Sequence, residues 1–193
     1  MEKVLYALTR GAEDSAAFAD RLLGSVATAL FEHGAHGVQV NVADAAVAPA
    51  ARLRIVSSPA PADAVVSIWV DSAVAARRAP FDAVVADAAE AWAAYLVTES
   101  VPLANTRFPP VPGTRTEGLS QMAFLQRPAT IAYEEWLDLW LNGHTAVALD
   151  TQDTFGYVQN VVTRVLTPGA PPWAAIVEEL FPAGAMTDPH VFY

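Results

Sequence analysis

Residues 134–160 read EEWLDLWLNGHTAVALDTQDTFGYVQN, a stretch that joins a tryptophan-bearing amphipathic helix, a histidine and a strand. Trp136, Trp140 and His144 recur at every fourth position, which predicts that they share one helix face. The strand that begins near Thr154 carries Tyr157 and Asn160. Three residues apart on a strand, these two side chains must point to opposite faces. A helix layered on a sheet is the expected result, and with it an α+β fold.

Working outward, Leu119–Gln126 reads as a strand before this helix, with Pro128 and Ala129 leading into a helical run from Thr130. After it come a strand over Phe155–Leu166, a turn at Pro168–Pro172 and a strand over Trp173–Leu180. The N-terminal part has a similar layout. Lys3–Thr9 is an apolar strand, Asp14 or Ser15 caps a helix carrying Phe18, Leu22, Leu23, Val26 and Leu30, and Gly34 stops it. Val38, Val40 and Val42 alternate as a half-buried strand. Loops rich in alanine and proline follow, through Pro49 and again at Ser57–Pro61. A buried strand at Val65–Val70, a helix from about Pro80 with Phe81, Val84, Val85 and Trp92 inward, and a strand at Tyr95–Val101 complete a β-α-β-β-α-β order.

The expected organisation is two ferredoxin-like (βαββαβ) units. The first spans residues 1–105, a proline- and glycine-rich linker 106–118, and the second 119–193. Asp188 followed by Pro189 is a helix start, yet Tyr193 lies about one turn later. The second repeat is therefore expected to lack its last helix and strand, as a truncated form or with its edge completed by another element or subunit.

The segment EEWLDLWLNGHTAVAL followed by FGYVQNVVTRVL resembles the EthD family of dimeric α/β barrels. The resemblance covers the second half by motif and the first half by layout alone. It implies ferredoxin-like sheets packed around a cavity, normally by homodimerisation. It also implies an activity of the kind found among the family's relatives, which include cofactor-free oxygenases and the dehydratases and cyclases of aromatic polyketide pathways.

Composition narrows the chemistry. The chain has 193 residues, 53% hydrophobic and 17% charged, which suits a well-buried globular protein. A net charge of -10 argues against nucleic acid and anionic membrane surfaces as partners. No apolar run reaches the ~20 residues of a membrane span, and no signal peptide is legible, so a cytoplasmic location is expected. There is no cysteine, hence no thiolate nucleophile or iron–sulfur ligand. The single lysine, Lys3, is expected at the exposed chain start, which leaves no Schiff-base candidate. Neither a P-loop, a dinucleotide fingerprint nor a G-x-S-x-G elbow can be read, so no cofactor is expected.

His144 is the candidate catalytic acid or base, with the tryptophan stripe desolvating it. The competing reading is a core histidine bonded to a backbone carbonyl. Trp136 and Trp140 form the wall of an aromatic ligand pocket or simply pack a helix on a sheet, and Tyr157 and Asn160 complete the substrate-binding candidates. Haem ligation through His144 has no other support in the chain. His33 and His36, with Glu32, have a metal-like spacing, but Gly34 and Gly37 break the helix there and no further ligand is legible, so no metal is expected. Arg77 and Arg78 read as a solvated helix start, and the neighbours Glu178 and Glu179 diverge rather than pair. The leading expectation is a cofactor-independent dehydratase- or cyclase-type enzyme acting on an apolar small molecule, aromatic or polyketide-like, in a homo-oligomer. The alternative is a non-catalytic binding or accessory protein of the same fold.

Overall fold

The computed structural model describes residues 1–56 and 62–193, so the loop expected at Ser57–Pro61 lies outside the described residues. The fold is α+β, and the chain divides into two units: Met1–Thr98 with Thr163–Pro171, and Glu99–Val162 with Pro172–Tyr193. No helix among the described residues is long and apolar enough to cross a membrane.

In the first unit β1 (Glu2–Thr9) is central, pairing antiparallel with β3 (Ala64–Val70) on one side and β4 (Ala91–Leu103) on the other. Strand β2 (Gly37–Val42) pairs antiparallel with β3, which gives the order β2-β3-β1-β4. Val4, Tyr6, Leu8, Val66 and Ile68 turn one face of this sheet toward Phe18, Leu22, Val26 and Leu30 of the first helical segment and Phe81 and Val85 of a later helix. That segment is α1 (Ser15–Arg21), a π-turn at Leu22–Val26, and α2 (Ala27–Glu32). Asp14 caps it as expected, accepting from Ala16 N at 2.9 Å and Ala17 N at 3.1 Å. Asp14→Ala should therefore lower stability by about 1 kcal/mol, read from a urea melt. An unchanged midpoint would show that solvent already serves those amides.

Several expectations change here. Lys3 is buried, not exposed, with Nζ 4.8 Å from the centre of the Trp69 ring. The reason is topological: a residue two positions into a central strand is already flanked by Trp69 and Val97. The second helix of this unit, α3 (Ala75–Ala88), starts five residues before Pro80, and Trp92 belongs to β4 rather than to the helix. Arg78 is no solvated helix start: it is buried, its Nε lies 2.9 Å from Asp82 and its Nη1 donates to Ala73 O at 2.9 Å, which anchors the first turn. Where a loop through Pro49 was expected, the chain forms a 3-10 helix (Ala45–Leu53) that Asp44 caps through Ala46 N.

The second unit repeats the first part of this order. Strand β5 (Leu119–Leu125) leads to α4 (Tyr133–Asp138), a π-turn at Leu139–His144 and α5 (Thr145–Thr151). Strands β6 (Gly156–Val165) and β7 (Ala175–Phe181) follow. Strand β7 pairs antiparallel with both β5 and β6, so β6-β7-β5 matches β2-β3-β1. Gly118 enters β5 at φ 100, and a Cβ there would stand 2.2 Å from Phe181 O, so the position requires glycine. The expected helix start at Asp188 is present as α6 (Pro189–Phe192), with Asp188 accepting from His190 N and Phe192 stacked on Phe181 at 4.2 Å.

Candidate functional site

The shared face expected for Trp136, Trp140 and His144 does not form. Trp136 and Trp140 are buried against the sheet with rings stacked 5.5 Å apart, but His144 is exposed and Thr145 takes the next inward position. The cause is the π-turn. Thr145 N–H reaches back five residues to Trp140 O, where an α-helix would have joined His144 to that carbonyl. One residue is thereby inserted into the helical phase, and everything C-terminal to it rotates. Thr145 Oγ1 also donates to Trp140 O at 3.0 Å, so side chain and backbone together hold the wide turn. The first unit has a π-turn at the same stage of its helix, where Ala27 N–H bonds Leu22 O.

Beneath the Trp136–Trp140 stack lies a set of buried polar side chains. Register places Gln121, Glu179 and Tyr157 side by side across β5, β7 and β6, and Ala123, Val177 and Gln159 in the next row on the same face. Gln159 Nε2 donates to Thr145 Oγ1 at 2.7 Å, tying sheet to helix. Gln121 Nε2 donates to Glu179 Oε2 at 3.2 Å. Glu179 is 6% exposed, and its Oε1 has no hydrogen-bond partner. Trp140 is 5% exposed; its Nε1 makes no well-formed hydrogen bond, though it stands close enough to the Tyr157 hydroxyl to lower that group's proton affinity.

Burial pushes the Glu179 carboxyl above the usual carboxylate range, which favours the neutral acid. Tyr157 is raised too, by burial first; Thr145 and Trp140 oppose the shift by favouring the phenolate, while the charge of Glu179 reinforces it. These causes place Tyr157 at the centre of the cluster, beside Thr145, Trp140 and Glu179.

Two comparisons within the chain separate this cluster from ordinary core polarity. Counting from Gly37 and Gly156, which open β2 and β6, the row Gln121–Glu179–Tyr157 corresponds to Val4–Ile68–Val38 in the first unit. The same fold position is thus apolar in one unit and polar in the other, so the fold itself does not demand the polar set. The helix-facing side of the first unit's sheet also carries a buried polar group, the Tyr6 hydroxyl, but it is paired. Tyr6 donates to Asp82 at 2.9 Å, and Asp82 also receives Arg78 Nε, which is how a structural tie is built. Among the described residues, four of the five buried side-chain atoms without a partner lie in the second unit: Trp140 Nε1, Gln152 Oε1, Asn160 Oδ1 and Glu179 Oε1.

The remaining candidates scatter. Asn160 is fully buried on the opposite sheet face from Tyr157, as strand alternation requires, and donates to Ile176 O at 3.0 Å. Glu178, also buried, faces away from Glu179. His36 pairs with Asp71 at 2.7 Å and His33 meets the edge of Phe81. Among the described residues no group of three or more His, Asp or Glu side chains could hold a metal ion. No protein-family model matches the chain, and no curated protein matches it.

Glu179, Gln121, Gln159 and Thr145 were not among the candidates read from the sequence. A signal for the first existed. In a strand with Glu178 and Glu179 adjacent, one acid must face the helix layer whichever register applies.

Proposed function

We propose that the second unit receives an apolar small molecule between its α4–α5 segment and its sheet, and that Glu179 is its acid/base group. The observation that carries this reading is a buried carboxyl with an unpaired oxygen at a position where the first unit has Ile68. His144, on the exposed face, has no part in it. In a dehydration, the Glu179 proton would pass to a departing hydroxyl, which leaves as water, and the resulting carboxylate would take a proton from the adjacent carbon as the double bond forms. No cofactor enters this step. The tryptophan stack supplies the apolar wall, with Tyr157 and Gln159 orienting the molecule. The reading keeps the EthD-like resemblance, the ferredoxin-like repeats and the homo-oligomer as parts of the same proposal. A second reading, a non-catalytic binding protein, is favoured by the fact that the cluster brings one carboxyl and no histidine.

The test uses the fluorescent apolar probe N-phenyl-1-naphthylamine. Its emission should rise on the wild-type protein. The rise should be lost in Ala123→Trp, which projects a ring from a half-buried β5 position into the row shared with Gln159. No rise with the folded wild-type protein, or an equal rise in the folded variant, would remove the site. Catalysis and binding then separate by deuterium exchange at C2 of 1-tetralone in heavy water. Exchange lost in Glu179→Gln supports acid/base chemistry, and its absence beside intact probe binding selects the second reading.

A further inference from the structure

Strand β5 holds the place in the second unit that β1 holds in the first, but its surroundings differ. Strand β1 has β3 on one flank and β4 on the other, and its Val4, Leu5, Tyr6 and Leu8 are buried. Among the described residues β5 has one strand neighbour, β7, and stands at the end of the sheet, with every residue half-buried. Its sequence, LSQMAFL over residues 119–125, carries no charge and no proline, the residues by which an edge strand keeps other strands away.

The edge has a definite parity. Val162 N donates to Ala174 O at 3.0 Å, and bonds alternate along an antiparallel ladder. Residues 174, 176, 178 and 180 of the β7 segment therefore turn their backbone groups to β6, and 175, 177, 179 and 181 turn theirs to β5. The β5 partners of the second set are Leu125, Ala123, Gln121 and Leu119. The N–H and C=O groups of Ser120 and Phe124 consequently point outward from the edge, and among the described residues no backbone hydrogen bond reaches them from outside the sheet. The 3-10 turn after β7 bonds within itself, Ala185 N to Pro182 O and Thr187 N to Gly184 O.

We propose that a second copy of this chain occupies the edge, its β5 pairing antiparallel with this one about a two-fold axis at Met122. Ser120 N–H of each copy donates to Phe124 O of the other, and Phe124 N–H to Ser120 O. Leu119 then lies opposite Leu125 and Gln121 opposite Ala123. Just beyond the strand, the same register sets Glu117 of one copy against Arg127 of the other, and symmetry repeats that pair at the far end. The charges favour this occupant: two chains of net charge -10 meet along an uncharged strand that is flanked by opposite charges. The first unit supplies the precedent, since β4 lies antiparallel on the matching flank of β1. The pairing gives the homo-oligomer of the proposed function a surface and is independent of the ligand.

Sedimentation equilibrium over a dilution series should give twice the 20.5 kDa chain mass at high concentration. Ser120→Pro removes one outward N–H per copy and spares the bonds to β7, so it should weaken association at least about tenfold, the worth of two hydrogen bonds. Ser120→Ala keeps the amide and should associate as the wild type does. The chain has no cysteine, so single thiols report the register directly. In the paired edge Met122→Cys faces its own copy with Cα atoms about 5.5 Å apart, within disulfide reach. Two Ser120→Cys residues lie about 13 Å apart, beyond it. Copper–phenanthroline should therefore cross-link Met122→Cys much faster than Ser120→Cys. If Ser120→Pro does not fold, the cysteine pair decides; if Met122→Cys does not, the proline and alanine variants do. A wild type that keeps the mass of one chain overturns the pairing and the homo-oligomer together, whatever the result with N-phenyl-1-naphthylamine. A dimer indifferent to Ser120→Pro, or one that cross-links equally through both thiols, overturns the pairing and places the contact on another surface.

Discussion

Trp140→Ala should lower the unfolding free energy by about 3–5 kcal/mol, whereas His144→Ala should move it by less than about 0.5 kcal/mol. Four positions apart, the two residues would share a face in an unbroken α-helix and fail together. The structure separates them by a π-turn, which seats Trp140 at 5% exposure between Trp136 and the sheet and leaves His144 outside. Removing the indole forfeits the stack with Trp136 and opens space above Tyr157 and Val177, where the backbone of β6 and β7, fixed by the ladder, cannot collapse to fill it. Removing the imidazole takes away solvent-exposed atoms. Thr145→Ala should fall between the two, at about 1–3 kcal/mol, because Gln159 Nε2 loses its 2.7 Å partner in a buried setting. Urea melts of the three variants, followed by far-UV circular dichroism, give the order. A His144 variant as damaging as the Trp140 variant would mean that the helix runs through residues 139–144 without the π-turn.

That helix also shows what a sequence discloses and what it withholds. The strands were legible because their alternation is local: Val38, Val40 and Val42 announce β2, and the apolar run at 65–70 announces β3. The caps at Asp14 and Asp188 were legible for the same reason, since a short polar side chain two residues before an orphan amide is a local arrangement. The π-turn is different. It depends on Thr145 bonding Trp140 O and on Gln159, fourteen residues further on, holding Thr145 inward. No periodicity carries that, so a four-residue spacing selected His144 when the inward residue was Thr145. Lys3 and Arg78 failed for a related reason. Each is a charged residue whose burial depends on a long-range contact: Lys3 lies against Trp69 on β3, and the local Arg78–Asp82 pair is drawn inward by the Tyr6 hydroxyl on β1. Glu179 lay between the two cases. Its burial followed from parity, but its partner Gln121 is 58 residues away.

Glu179→Leu should stabilise the protein by about 1–3 kcal/mol near neutral pH, the cost of a buried polar group without its full set of hydrogen bonds. The gain should depend on pH, and its sign follows from proton binding. Burial raises the folded-state pKa of Glu179 above that of the unfolded chain. Between the two values the folded protein holds a proton that the unfolded protein releases, so wild-type stability falls as pH rises through that window and levels off above the folded pKa. Leucine has nothing to titrate, so the stability difference between variant and wild type should widen as pH rises through the window and shrink as pH falls below the unfolded value near 4.5. The other carboxylates titrate in both proteins and cancel in the difference. Tyr157, also raised by burial from 10.0, titrates well above this range. Urea midpoints taken at intervals from pH 4 to pH 9 measure the difference directly. A gain constant across that range would mean that Glu179 keeps its ordinary protonation on folding.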